Sequence, residues 1–275
     1  MFISDTIKTE VITVTPRLAK QLLEQNTGNR RVSKTNLARV KTAMERNEWV
    51  LNGEAIKIAK DGRILDGQHR LHASVDTDTT FDTLIVYGLS DDTQESMDAG
   101  KARTASDALA IRGYKSVHSL AAITTAIIKS EQWNIKAAVT TASASYAVTT
   151  KQVVDRVERE PGLMDLVRTA VKFPKVGLSG KLAGLLYYVL SEIDAEDTED
   201  FFHKLLSGEN LDRGHPALTL RNLLLRLKDE RGLKDQSYIA ALTIKAWNRY
   251  RDGQEVLHLR YAPGGARPEP FPEPH

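Results

Sequence analysis

The chain has no cysteine among its 275 residues. This excludes disulfides, thiolate metal sites and cysteine nucleophiles, and it suits a reducing cytoplasm, the expected location. An excess of one charge is also missing. Lys and Arg number 38 against 36 Asp and Glu, a net of +2, so a histone-like polycation is excluded while a local basic face is not. Long apolar runs are absent: Ser119–Ile128 and Leu182–Leu190 fall far short of the ~20 residues that span a bilayer. The opening Met1-Phe2-Ile3-Ser4-Asp5 is acidic and lacks the apolar core of a signal peptide. No membrane partner is expected.

What is present suffices for a sizeable core, with 41% hydrophobic and 27% charged residues. At ~150 residues per domain the length suggests about two domains. Texture divides the chain further. Residues 1–112 alternate short strand-like and helix-like segments, and 113–261 carry only helical patterns. Residues 262–275 hold five of the nine prolines and are expected to be extended or disordered. No internal repeat is present.

In the first zone, Glu10–Thr15 is β-branched and reads as a strand. Thr15-Pro16 caps and opens a helix through about Gln25. Ser33 caps a second helix with Leu37, Val40 and Met44 on one face. Ala55–Ala59 and Arg63–Leu65 read as strands joined at Lys60-Asp61-Gly62. A helix follows Asp66-Gly67 to about Val75, then a strand at Phe81–Leu89 and a short helix at Asp91–Ala99. The order β-α-α-β-β-α-β-α predicts a small α/β domain with a mixed sheet. An all-α domain should follow, with helices near 116–131, 151–159, 162–173, 179–193, 198–207, 216–231 and 236–251. The predicted class is therefore α+β.

The chemistry concentrates in Asp66-Gly67-Gln68-His69-Arg70-Leu71-His72-Ala73, where a strand turns into a helix. Glycine permits the tight turn, and the first amides of a helix form a ready anion site. Arg70 in the first turn would add a bidentate clamp. His69 would donate a hydrogen bond or move a proton, and Asp66 would cap the helix or hold magnesium beside a phosphate. Leu71 and Ala73 should face inward. The plainer reading, an Asp-Gly helix start flanked by surface residues, stays open for the box taken alone.

Its surroundings add specificity. Asn29-Arg30-Arg31 lies upstream, followed by Met44, Trp49-Val50-Leu51-Asn52-Gly53-Glu54-Ala55-Ile56 and Asp61-Gly62-Arg63-Ile64-Leu65. Downstream stand Tyr87-Gly88-Leu89 and Met97-Asp98-Ala99-Gly100-Lys101-Ala102-Arg103-Thr104. In this order, over roughly Thr9 to Asp107, the chain resembles the ParB/sulfiredoxin-like superfamily, in the Asp-Gly-Gln-His-Arg branch found in many phage and prophage proteins. The resemblance implies that Gly67, Gln68, His69 and Arg70 cradle a nucleotide or DNA phosphate. It likewise implies phosphate contact for Arg30 and Arg31, with DNA maintenance or modification as the setting. No cofactor is fixed by this; the candidate is a nucleoside triphosphate with magnesium at Asp66. Partition-type members carry Gly-Glu-Arg-Arg where this chain has Gly67-Gln68-His69-Arg70, and Gln68 cannot act as a base. Their Glu-Asn-x-Gln-Arg segment is not found. Sulfiredoxin activity is excluded without its cysteine.

Other features bear on partners. Arg17 to Arg46 holds eight Lys and Arg against two Glu, a cluster suited either to nucleic acid or to a solvated helix face. Lys101 and Arg103 would reach the same anion as Arg70, or belong to a linker turn before a Thr104-capped helix. His69 and His72, three apart on a helix, would offer metal ligands together with Asp66. Trp247 with Arg249 and Arg251, and Arg213, Arg221 and Arg226, join aromatic and basic groups; the default is a packed Trp with arginines reaching out. Two further readings stay open. One is a phosphotransferase, nucleotide hydrolase or nuclease with Asp66 and His69 as acid–base groups. The other is a non-catalytic interaction module. The helical domain would supply a DNA, partner or homodimer surface.

Overall fold

The computed structural model describes residues 2–29, 31–90, 104–140, 146–229 and 235–275. The class is α+β, a four-stranded mixed sheet with helices, and the C-terminal region is helical. No helix among the described residues is long and apolar enough to cross a membrane. The chain divides into two compact units, Met1–Arg103 with Ala142–Lys151, and Thr104–Thr141 with Gln152–His275.

In the first unit β1 (Lys8–Val14), β2 (Ala55–Ala59), β3 (Ile64–Asp66) and β4 (Phe81–Leu89) lie in the order β1-β4-β2-β3. β1 runs antiparallel to β4, β2 parallel to β4, and β3 antiparallel to β2. The parallel pair explains why Ala55-Ile56-Lys57-Ile58-Ala59 reads as a nearly unbroken apolar run: an inner strand is covered on both faces. The β2–β3 turn closes at Gly62, where φ is 92°.

Among the described residues three helices accompany the sheet. α1 (Pro16–Leu23) starts on Thr15, whose hydroxyl accepts the Leu18 amide, with Pro16 preset for the first turn. α2 (Lys34–Glu45) starts on Ser33, which accepts the Asn36 amide. α3 (Gln68–Thr77) follows β3 through Gly67. Val14, Ile56, Ile58, Ile64, Phe81 and Ile85 from the sheet meet Ala19, Leu22, Met44, Leu71 and Ala73 from the helices in one buried cluster. β1 starts two residues before the predicted Glu10, because Lys8 already pairs with Tyr87.

The second unit contains α4 (Ala105–Ile111), α5 (Val117–Gln132), α6 (Ile135–Val139), α7 (Thr150–Arg159, whose first two residues belong to the first unit), α8 (Leu163–Ala170), α9 (Gly180–Ser191), α10 (Ala195–Ser207), α11 (Pro216–Asp229) and α12 (Gln236–Arg251). The five-residue α6 has no counterpart in the sequence reading; Asn134 caps it by accepting the Ala137 amide. α10 starts three residues before the predicted Thr198, because Asp194 caps it and Glu196 and Asp197 suit its first turn. Gly184 on α9 lets α5 approach, since a Cβ there would stand 2.7 Å from Ile123 Cδ1.

The proline-rich tail forms neither helix nor strand, as expected for its composition. It is held rather than free, which corrects the disordered alternative. Lys245 Nζ on α12 pairs with Glu269 at 2.6 Å, and Asn248 donates to the Glu273 carbonyl at 2.8 Å. Phe271 packs edge-on to Tyr261.

Candidate phosphate-binding site

Gly67 adopts φ 104°, a conformation that L side chains rarely reach. The turn also lies hard against β2: a Cβ at Gly67 would stand 2.9 Å from Ile56 Cγ1. Asp66 Oδ1 accepts the Gly67 amide at 2.6 Å, and its Oδ2 faces Lys57 Nζ at 3.4 Å. Leu71 and Ala73 are fully buried, as their spacing predicts.

Arg70 departs from expectation. Its side chain turns inward: Nη1 donates to the Glu54 carbonyl at 2.8 Å and Nη2 to the Ala55 carbonyl at 2.6 Å, with Asp66 Oδ2 at 4.0 Å. The guanidinium fork thus ties α3 to the start of β2, where a fixed pair of carbonyls gives a planar donor set better partners than water. The phosphate clamp is corrected to a brace.

The α1–α2 connection is laid against the first turn of α3. Asn26 Nδ2 donates to Gln68 Oε1 at 3.3 Å, and Asn29 Nδ2 donates to Asn26 Oδ1 at 2.6 Å and to the Ile64 carbonyl at 2.7 Å. His69 Nε2 accepts the Ser33 amide at 3.1 Å, which assigns the ring proton to Nδ1. Gln68 is buried by this arrangement. Arg31 and Lys34, which flank Ser33 in sequence, are both exposed. Asn26 and the Ser33 amide were missed by the sequence reading. An asparagine pair three residues apart between two capped helices was the available signal.

Arg30, Lys101 and Arg103 lie outside the described residues, as does the predicted Asp91–Ala99 helix. No group of three or more His, Asp or Glu among the described residues can hold a metal ion, so the Asp66–His69–His72 set is corrected. Asp66 as a magnesium ligand fits poorly with one oxygen on the Gly67 amide and the other on Lys57. An acid–base role at His69 Nε2 competes with the Ser33 amide.

In the helical unit, a cavity of about 710 Å³ is lined by Leu218, Leu223 and Leu257, with Arg213, Arg226 and His258 exposed around it. Trp247 is fully buried against Phe201, in keeping with the packed default. Arg221 donates to the Leu205 and Leu206 carbonyls at the end of α10. Compared with known protein families, curated proteins and solved structures, the chain matches none.

Proposed function

We propose that the first unit is a ParB/sulfiredoxin-like binding module that holds a nucleotide or DNA phosphate at the start of α3. The observation that supports this reading is the fastening of the α1–α2 connection onto the start of α3, with Asn26 on Gln68 and the Ser33 amide on His69, in a stretch of chain where the exposed Arg31 and Lys34 flank Ser33 in sequence. A helix start favours anions, and exposed cations next to it add charge without burial cost. Arg70 positions the turn instead of touching the ligand. Binding is favoured over turnover because Asp66 and His69 Nε2 already have partners. In this reading the Arg213, Arg226 and His258 rim gives the helical unit its own surface for phosphates.

Fluorescence anisotropy of labelled duplex DNA, and calorimetry with each nucleoside triphosphate with and without magnesium, test this on the full chain. R31E/K34E should weaken binding and flatten the dependence on salt by roughly two contacts' worth of counterion release. Unchanged affinity and salt slope would remove the site. Phosphate release in the same samples would move the reading to a hydrolase or phosphotransferase.

A further inference from the structure

β1 occupies one edge of the sheet, with β4 as its neighbour among the described residues, and residues 5–11 are all exposed. Two large apolar side chains stand there in the open: Ile7, just before the strand, is 65% exposed and Val11 is 60% exposed. Sheet edges are usually blunted by a bulge, a proline, a cover or charged side chains; among the described residues β1 has no bulge, proline or cover, pairing with β4 runs without a shift, and the charges on it are of opposite sign, Lys8 and Glu10. From this edge we infer that the protein self-associates, a second copy adding its own β1 antiparallel to the first.

Charge selects the register. A two-fold axis perpendicular to the sheet must pass through a residue position, since only then do opposed side chains share a face. An axis at Lys8 sets Lys8 against Lys8, and one at Glu10 sets Glu10 against Glu10. An axis at Val11 leaves both charges facing apolar residues, Glu10 against Ile12 and Lys8 against Val14. Through Thr9 alone, Lys8 faces Glu10 twice and Ile7 faces Val11 twice. Opposite charges and paired β-branched residues stabilise cross-strand neighbours, whereas like charges directly opposed destabilise them. Pairing runs from Ile7 to Val11, because the chain bends at Asp5 and Thr6. So short a ladder gives a weak, concentration-dependent dimer.

Sedimentation velocity across a wide concentration range should show the full chain shifting from monomer to dimer. K8E and E10K should each abolish the shift, and K8E/E10K should restore it by exchanging the partners. The absence of cysteine permits a second test, independent of affinity. T9C places its thiol opposite its own copy and should oxidise to a covalent dimer, while V11C, opposed by Ile7, should remain monomeric. A monomer at every concentration together with no T9C cross-link overturns the proposal. Cross-linking of V11C as readily as T9C overturns the register. Both positions are exposed, and circular dichroism confirms that each variant folds.

Discussion

Arg70 and Arg31 carry the same charge within one neighbourhood and do opposite things. Arg70 is only 9% exposed and its two terminal nitrogens are bound to main-chain carbonyls, whereas Arg31 lies open. Arg70→Met should therefore lower unfolding stability by about 1–3 kcal/mol, because the buried Ala55 carbonyl loses its guanidinium donor, while the Glu54 carbonyl keeps the Thr83 hydroxyl at 3.3 Å. Arg31→Ala should stay within about 0.5 kcal/mol and act on phosphate binding alone. Urea titration of both variants checks the contrast, and equal midpoints would refute it. Gly67→Ala meets both a left-handed φ and Ile56, so a loss of about 1–3 kcal/mol is expected by the same measurement. His215 supplies a pH dependence. Burial chiefly, then Lys204, lowers its pKa below the usual 6.5, while Asp200 and Asp212 oppose the shift. Its Nδ1 accepts the Ala217 amide at 3.2 Å, which also needs the unprotonated nitrogen. A folded-state pKa below the unfolded value means that the unfolded chain takes up the proton first. Stability should accordingly fall as pH drops below about 6.5, and H215Q should flatten thermal midpoints across that interval.

At the scale of elements, α1, α2, β2, β4 and the start of α3 were legible because their signals are local. Thr15-Pro16 and Ser33 act within one turn, and β-branched runs declare strands. The α3 mouth was only half legible. Gly67 was foreseeable from the turn it must make, but the direction of the Arg70 side chain depends on carbonyls of Glu54 and Ala55, on another strand. The tail illustrates the same gap. Proline content correctly ruled out helix, yet the partner that holds it, Lys245, lies on α12. Hydrogen bonding to Lys245 and to the Ala262 amide keeps the Glu269 carboxyl below its usual range, although burial opposes this. With the folded pKa depressed, this contribution is present above about 4.5 and is lost as pH falls through the folded value. E269A should speed hydrogen exchange beyond Tyr261 at neutral pH while leaving β2 protection unchanged. Unaltered exchange in the tail would argue against the Lys245 anchor.

For the whole molecule, the units are not consecutive in sequence. Residues 142–151 return to the first unit, where the Thr149 hydroxyl donates to Glu48 at 2.6 Å. A fragment ending at residue 112, where the sequence texture changes, lacks that return. Hydrogen exchange of β2 peptides should be faster in this fragment than in the full chain. Equal protection would mean that the returning segment contributes nothing to the unit.

The sequence alone determined the α+β class, the Thr15 and Ser33 helix starts, the need for glycine at position 67 and the absence of thiol chemistry. Each follows from backbone preferences or composition, which act over a few residues or over none. Tertiary structure decided that Arg70 braces a strand, that His69 receives the Ser33 amide and that residues 142–151 rejoin the first unit. Those outcomes depend on which polar groups meet once apolar faces have packed, and no spacing along the chain encodes that meeting.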